Sequence, residues 1–190
     1  METKSIMIVG VGGQGSLLAS RLLGNVLLSQ GFDVKVSEVH GMSQRGGSVV
    51  TYVKYGDKVY SPVIEKGEAD AIIAFEQLEA ARWVPYLKKG GHLIFSTQKL
   101  NPMPVITGAA SYPENIPEKL KALGIDAIPV DALSLAKEAG SPKASNVVLM
   151  GVLSTKMGFP EKVWQDALEK CVPAKFLEMN KKAFELGKNS

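Results

Sequence analysis

The chain has 190 residues, of which 45% are hydrophobic and 22% charged, and its formal net charge is +3. A chain of this length suits one globular domain that buries roughly 70% of its unfolded surface, and the small basic excess excludes an extended nucleic-acid surface. The single cysteine, Cys171, excludes an intrachain disulfide, a Cys-x-x-Cys zinc site and an iron–sulfur cluster held by this chain alone.

The amino terminus leads almost directly into an apolar stretch at residues 6–9, without the apolar core of a signal peptide. No apolar run approaches the roughly 18 residues of a membrane span. We therefore expect a cytoplasmic protein that does not enter a membrane.

Residues 5–36 predict one strand–helix–strand unit. The apolar stretch 6–9 is followed by a glycine turn at 10–15, and leucines and valines then recur at helical spacing until Gly31, where glycine can end the helix. An alternating run at 32–36 predicts the second strand. The right-handed crossover of such a unit puts the glycine turn at the carboxyl edge of a parallel sheet, where open α/β folds bind their ligands.

A β-hairpin is predicted next. Residues 48–55 and 58–60 are rich in β-branched and aromatic side chains, and Gly56 and Asp57 between them suit a tight turn. We expect this hairpin to be inserted near an edge of the sheet.

Strands and helices alternate through the middle of the chain. Residues 69–75 and 91–95 predict two buried strands separated by a helix over 76–87, and residues 127–130 predict a last strand. Four prolines between positions 101 and 117 remove backbone donors, so that segment is predicted to be extended chain and loop.

The last third of the chain is predicted to be helical. Asp131 is a candidate N-cap, and residues 147–153 are apolar nearly all round, which favours a helix in the core over one pressed against another subunit. Asn146 is interpreted as a helix cap rather than an interface residue. Amphipathic helices follow from Glu161 and from Pro173.

These elements predict an α/β fold that is Rossmann-like. Its sheet is mostly parallel, helices cover both faces, and the β-hairpin is inserted. The whole chain, residues 1–190, is expected to form a single domain.

The turn at residues 10–15 reads GVGGQG and has two interpretations. An anion or a partner backbone would lie against the free N–H groups that open the helix. Alternatively, the glycines serve only the tight turn between strand and helix. Gln14 likewise either reaches over a ligand or caps the loop itself.

A second polar loop follows the second strand at residues 37–49, which read SEVHGMSQRGGSV. In a dinucleotide-binding domain, an acid at the position of Glu38 would take the ribose hydroxyls. The rest of the loop is unusual for a dehydrogenase, because its glycines and polar side chains indicate close approach to a ligand or a partner backbone.

The two motifs together resemble the gamma-type domain of the 2-oxoacid:ferredoxin oxidoreductases. That family carries Gly-x-Gly-Gly-Gln-Gly followed by a strand-two loop with Arg-Gly-Gly, which matches residues 10–15 and 45–47. Within the family, the form of residues 37–47 is most similar to the small (beta) subunit of the indolepyruvate branch. The resemblance covers nearly the whole chain in length and strand order.

The resemblance implies a subunit of an enzyme that converts an arylpyruvate and coenzyme A to an aryl-acetyl-CoA while reducing ferredoxin. This reaction needs thiamine diphosphate with Mg and iron–sulfur clusters. The chain has one cysteine, and Gly56-Asp57-Lys58 departs from the Gly-Asp-Gly pattern of a magnesium diphosphate site. Thiamine diphosphate, Mg and 4Fe-4S clusters are therefore expected on a large alpha subunit of a hetero-oligomer, with no metal on this chain and no activity by this chain alone.

Arg45 and His40 are the candidate catalytic residues. The planar fork of Arg45 matches a 2-oxoacid carboxylate or a coenzyme A phosphate, although a salt bridge to Glu38 or to an acid of the partner is an equal alternative. His40 could exchange a proton near neutral pH, but a histidine without an identified carboxylate partner more often orders a loop. The residues predicted to bind cofactor or co-substrate are Gly10, Gly12, Gly13, Gln14, Gly15, Glu38, Ser43, Gln44, Gly46 and Gly47.

Three alternatives stay open at this point. The chain could be the gamma-type subunit of another 2-oxoacid:ferredoxin oxidoreductase, or a free-standing dinucleotide-binding oxidoreductase with Glu38 on the ribose. It could also be a non-catalytic scaffold whose loop 37–49 only docks a partner.

Overall fold

The structure is a computed structural model that describes residues 2–40 and 47–190, without the side chain of His40. All structural statements below concern that part of the chain. Predicted site residues Ser43, Gln44, Arg45 and Gly46 lie outside the described residues, as does the histidine side chain.

A six-stranded sheet forms the centre of the described fold, in the order β2-β3-β1-β4-β5-β6. The strands are β1 (Lys4–Val11), β2 (Asp33–His40), β3 (Ser48–Gly56), β4 (Ala69–Ala74), β5 (Leu87–Ser96) and β6 (Asp126–Val130). β1, β4, β5 and β6 are paired in parallel, whereas β3 is antiparallel to both of its neighbours. β2 therefore points the same way as β1, and the predicted mostly parallel sheet is confirmed.

Helices cover both faces of this sheet, as predicted. In the described residues they are α1 (Ser16–Ser29), α2 (Gln77–Trp83), α3 (Met103–Ile106), α4 (Ile116–Ala122), α5 (Ala132–Ala139), α6 (Ser145–Met157), α7 (Glu161–Cys171) and α8 (Leu177–Lys188). One apolar core joins the sheet to α1, α5, α6, α7 and α8, and a second joins the other face to α2 and α4. The Rossmann-like α/β architecture is thus confirmed.

The inserted hairpin exists, but its strands are not the predicted ones. β3 pairs with β2 over residues 33–40 and enters the sheet between β2 and β1. Residues 57–60 form no strand. They remain a loop, in which Asp33 Oδ2 accepts a hydrogen bond from the backbone N–H of Val59 at 2.9 Å. The prediction of a strand at 58–60 is therefore wrong.

Other element boundaries also differ from prediction. β2 continues to residue 40, so residues 37–40, predicted to begin the polar loop, belong to a strand. The helix predicted over 76–87 ends at Trp83, and a 3-10 turn (Val84–Tyr86) leads into β5, which begins four residues earlier than predicted. The proline-rich segment contains the short α3 and the start of α4. Proline lies in the first turn of each, where its missing N–H costs no helical hydrogen bond.

The apolar run in α6 is buried inside the chain, as predicted. Residues 146–153 of this helix are all buried, and α8 packs directly on it. A Cβ added at Gly187 would lie 1.9 Å from the carbonyl oxygen of Val148, and one added at Gly151 would lie 2.1 Å from that of Phe184. Glycine at both positions lets the two helix backbones touch, so α6 needs no partner subunit to cover it.

Candidate functional site

The glycine turn joins β1 to α1 at the carboxyl edge of the sheet. Gly13 and Gly15 have φ values of 94° and 88°, a left-handed conformation that is costly for residues with a side chain. Gly15 is the N-cap of α1, and the cap makes no side-chain hydrogen bond. Because the first turn also contains no acidic residue, the N–H groups that open α1 are available to an anion.

Gln14 is bound within the fold. Its Oε1 accepts a hydrogen bond from the N–H of Val11 at 2.7 Å, and its Nε2 donates to the carbonyl oxygen of Phe75 at 3.0 Å, just after β4. A Cβ added at Gly10 would lie 2.8 Å from Gln14 Oε1, so this glycine makes room for the amide. These contacts are the ones expected if Gln14 caps its own loop. A contact between Gln14 and a ligand stays a prediction.

Asn146 joins α6 to the glycine turn, and its predicted role as a helix cap is wrong. The N-cap of α6 is Ala144. The side chain of Asn146, which is 3% exposed, donates from Nδ2 to the carbonyl oxygen of Gly15 at 3.0 Å, and its Oδ1 accepts from the N–H of Val147 at 2.9 Å. The start of a helix far along the chain therefore holds the start of α1, which no local sequence pattern predicts.

A cleft of about 550 Å³ opens beside this turn. Gly13 and Asn146 lie on its polar side, Leu133 and Leu149 on its apolar side, and Lys143 brings a positive charge. No atom lies within 4 Å of a Cβ added at Gly13, so that residue presents open backbone to the cleft. We call this the glycine-edge cleft. It combines free backbone donors, one ammonium group and an apolar wall.

A second cleft of about 520 Å³ lies near Gly12. Its charged residues were not among the predicted site residues. Glu79 is 5% exposed. It accepts hydrogen bonds from Ser48 Oγ at 2.5 Å, Arg82 Nε at 3.0 Å and Trp83 Nε1 at 3.2 Å. Three donors compensate its burial, and the carboxylate ties α2 to the first residue of β3.

Glu76 is a second buried carboxylate at this edge, 1% exposed and placed two residues after the end of β4. It accepts hydrogen bonds from the N–H of Glu79 at 2.9 Å, from the N–H of Leu100 at 3.2 Å and from the hydroxyl of Tyr112. Burial, and then this hydrogen bond, raise the pKa of Tyr112 far above its usual value. An acidic residue directly after the predicted strand at 69–75 was the sequence signal that could have found Glu76.

Glu38 lies at the end of β2 and is exposed. Its Oε2 accepts hydrogen bonds from Ser16 Oγ and Thr51 Oγ1, both at 3.1 Å. The carboxylate therefore reaches the start of α1, although β3 separates β2 from β1 and moves β2 away by one strand spacing, roughly 4.8 Å. Its predicted contact with a ribose or a cofactor stays a prediction.

The loop that carries Arg45 leaves and returns beside the glycine turn. Backbone position 40, the last residue of β2, pairs with Val49, and the N–H of Gly12 donates to the carbonyl oxygen of Gly47 at 3.0 Å. The structure thus brings Gly47 next to Gly12, as the shared sheet edge predicted. The roles predicted for residues 41–46 and for the His40 side chain stay predictions.

The described residues do not fit an iron–sulfur cluster or a magnesium diphosphate. They contain no group of three or more metal-ligating side chains. Cys171 is half-buried and accepts a hydrogen bond from Asn25 Nδ2 at 3.3 Å, and burial raises the pKa of its thiol. A cluster needs several thiolates, and this chain offers one protonated thiol. No helix in the described ranges is long and apolar enough to span a bilayer.

The fold and its glycine edge define a class of protein that sequence comparison identifies. Residues 5–190 match the family described as pyruvate ferredoxin/flavodoxin oxidoreductase, and the chain belongs to this family. It is similar to an indolepyruvate oxidoreductase subunit, IorB, of Thermococcus kodakarensis, with 44% identity, covering 98% of this chain and 95% of that one.

A more distant relative has a similar length, and a larger solved chain contains the same fold. The pyruvate/ketoisovalerate oxidoreductases common subunit gamma of Thermococcus kodakarensis is 25% identical, covering 93% of this chain and 90% of its own. A solved 2-oxoglutarate:ferredoxin oxidoreductase of Magnetococcus marinus, with 2-oxoglutarate, coenzyme A and succinyl-CoA bound, has the same fold over the whole of this chain, with a TM-score of 0.76 and 21% identity. Our chain covers 31% of that larger one.

Proposed function

We propose that this chain is the small subunit of an indolepyruvate oxidoreductase, an enzyme that oxidatively decarboxylates arylpyruvates with ferredoxin as electron acceptor. One observation carries the proposal: the 44% identity to an indolepyruvate oxidoreductase subunit over nearly the full length of both chains. The gamma subunit that serves pyruvate and ketoisovalerate is only 25% identical, which disfavours the other branches of the family. We further propose a cytoplasmic location.

The proposed complex converts an arylpyruvate, coenzyme A and two oxidised ferredoxins to an aryl-acetyl-CoA, carbon dioxide, two reduced ferredoxins and a proton. Thiamine diphosphate stabilises the carbanion left by decarboxylation, and clusters accept the two electrons singly. Because the described residues fit neither group, both are assigned to a large alpha subunit. In this proposal the small chain is inactive alone, and residues 1–190 act as one gamma-type domain.

The contribution of this chain is assigned to its glycine edge. Gly15 and Leu18 at the start of α1 line the same cleft as Lys143, and the N–H groups of a helix start and an ammonium group both favour an oxyanion. Arg45, on the loop that returns at Gly47, would add a bidentate donor for a carboxylate or a phosphate. We propose that the substrate carboxylate or a phosphate of coenzyme A lies there when the subunits are assembled.

The free-standing dinucleotide-binding oxidoreductase is disfavoured by the structure around Glu38. Two hydroxyl groups, of Ser16 and Thr51, already bind its carboxylate. In addition, β3 lies between β2 and β1, where a dinucleotide-binding sheet has β2 next to β1. We retain the scaffold alternative, in which the loop only docks the partner. A single variant distinguishes this alternative from a role of the loop in the reaction.

The first experiment is affinity purification of the tagged chain from its native cells, without oxygen. The expected result is a brown complex with a large subunit that contains thiamine diphosphate and iron. This complex should reduce ferredoxin in the presence of coenzyme A and indolepyruvate or phenylpyruvate, faster than with pyruvate or 2-oxoglutarate. A colourless chain that elutes alone, or a complex specific for pyruvate, would refute the proposal.

Arg45→Ala distinguishes a role in the reaction from a role in assembly. If Arg45 binds an anion of the reaction, complexes with Arg45→Ala form normally, and the KM for indolepyruvate or coenzyme A rises by roughly ten- to a hundredfold. If the loop only docks the partner, less complex forms, but each complex turns over at the normal rate. Arg21→Ala, at an exposed position of α1, is the matched control and should change neither quantity.

A further inference from the structure

A second charged cleft lies at the opposite edge of the sheet, where the parallel strands begin. It encloses about 570 Å³, and Lys4 of β1, Asp70 of β4 and Lys88 of β5 are in its wall. It shares no lining residue with the glycine-edge cleft. The proposed function leaves this cleft without a role.

An irregularity in the sheet presents lysines to this cleft. Ala69 of β4 pairs with Leu87 of β5, and Ala71 pairs with His92. Residues 88–91 of β5 therefore stand opposite Asp70 alone. Lys88 and Lys89 are both exposed in this bulge, so the extra backbone serves to bring two ammonium groups to one place.

The carboxylate of Asp70 cannot neutralise the lysines around it. Lys4 Nζ lies 3.2 Å and Lys88 Nζ lies 3.5 Å from the same atom, Asp70 Oδ1. The other oxygen, Oδ2, accepts the backbone N–H of Ser5 at 2.9 Å, so the carboxylate is fixed in place. Two ammonium groups therefore share one carboxylate. The three groups together keep a net positive charge, which can attract a further anion.

The lining of the cleft is positively charged. Four lysines and one aspartate line it, a net charge of +3 with His92 neutral. Lys89 and Lys156 have no acidic partner within ion-pair distance in the described residues. His92 Nδ1, at the margin, lies 2.5 Å from Asp126 Oδ2.

The remaining wall of the cleft is aromatic and apolar. Phe32 meets Tyr55 edge to face, with ring centroids 5.3 Å apart, and lies 6.1 Å from Phe159. Phe32 and Phe159 are only partly buried, so their rings are accessible from the cleft. The neighbouring Met157 adds a polarizable thioether to this side.

We propose that this cleft binds a small aromatic anion, in which a flat ring lies against Phe32 and Phe159 and an oxyanion group is held by the lysines of the lining, Lys88 among them. Lysine favours carboxylate, sulfonate and phosphate as a compact point charge, and the aromatic wall excludes inorganic phosphate as the preferred ligand. The site is separate from the glycine edge and does not depend on the proposed function.

The test is titration of the full-length chain with four probes. Calorimetry measures the affinity, and the NMR shifts of the glycine backbone amides locate the site. The probes are indole-3-acetate and adenosine monophosphate, which combine a ring with an oxyanion, and indole and inorganic phosphate, which have only one part each. We expect at least one of the two aromatic anions to bind more tightly than either part. Binding of indole-3-acetate would identify the ligand as an aryl carboxylate, and binding of adenosine monophosphate would identify it as a nucleotide. The shifts should occur at Gly90 and Gly91, and salt should weaken binding.

Variants of opposite sign make the proposal falsifiable. Lys88→Ala should weaken binding by roughly three- to fivefold, and Asp70→Asn should strengthen it by a similar factor, because it removes the opposing charge. Lys121→Ala, on the surface of α4, is the matched control and should leave affinity unchanged. Binding that shifts Gly13 and Gly15 instead, that responds equally to Lys88→Ala and Lys121→Ala, or that is absent for both aromatic anions would overturn the proposal.

Discussion

The contact between Gly15 and Asn146 should make Gly15→Ala one of the most destabilising single-methyl changes at the glycine edge. Gly15 has a φ of 88°, which costs an alanine about 1–2 kcal/mol. The added Cβ would also lie 2.4 Å from Asn146 Nδ2. That buried amide would have to move and lose its hydrogen bond to Gly15, which costs about 1–3 kcal/mol. We expect the free energy of unfolding to fall by about 2–5 kcal/mol.

Gly13→Ala is the matched control. Its φ of 94° imposes a similar conformational cost, but no atom lies within 4 Å of the added Cβ. Only the backbone contribution of about 1–2 kcal/mol should therefore be lost. The difference between the two variants measures the steric contact with Asn146.

A double-mutant cycle isolates this contact. In an Asn146→Ala background the amide is gone, so Gly15→Ala should cost only about 1–2 kcal/mol, and the coupling between the two positions should be about 1–3 kcal/mol. Urea denaturation followed by circular dichroism gives all four free energies. Equal losses for Gly13→Ala and Gly15→Ala, or strictly additive effects of the two substitutions in the cycle, would refute the reasoning.

Three further results are expected from the structure. Gly187→Ala should destabilise the chain by about 3 kcal/mol or more, because its Cβ would lie 1.9 Å from the carbonyl oxygen of Val148 and force α6 and α8 apart; a normal urea midpoint would contradict the close packing. Gly24→Ala, in α1, should stabilise it by about 0.5–1 kcal/mol, because no atom lies within 4 Å of the added Cβ; a lower midpoint would show that the space is not available. Burial, and then the nearby carboxylate, raise the pKa of Tyr55 to about 12, so the unfolded chain loses this proton first as the pH rises above about 10. The free energy of unfolding should then fall between these two pH values and be unaffected by this group below them. Tyr55→Phe should reduce the slope of the free energy of unfolding against pH in this range. Part of the slope should remain, because the pKa of Tyr112 is also raised. An unchanged slope in Tyr55→Phe would mean that Tyr55 titrates normally.

Local patterns determined the strand–helix–strand unit and the position of its glycine turn. Alternating or apolar runs define strands, helical spacing defines α1, and the order of the elements then fixes the edge of the sheet on which residues 10–15 lie. These signals act over a few residues, because side-chain direction repeats every 2.0 or 3.6 residues in the backbone itself. The N-cap Asp131 was predicted from a local signal of the same kind. Its side chain accepts a hydrogen bond from the N–H of Ser134 at 3.1 Å, as predicted.

The partner of β3 was decided by tertiary structure. Residues 48–56 have the composition of a strand, but composition does not say which neighbour supplies the hydrogen bonds. The nearest candidate, residues 58–60, is held as a loop by Asp33, and β3 pairs instead with β2 and β1. Pairing depends on the register of whole strands over one buried face, which no window of a few residues contains.

The clefts likewise exist only in the folded chain. Asn146 meets Gly15 across 131 positions, and Glu79 meets Ser48 across 31. The sequence marked the glycines and Arg45, because motifs of short spacing imply backbone geometry directly. It could not indicate that lysines 4 and 88 converge on Asp70, because the separation of such groups is set by the packing of strands that are distant along the chain.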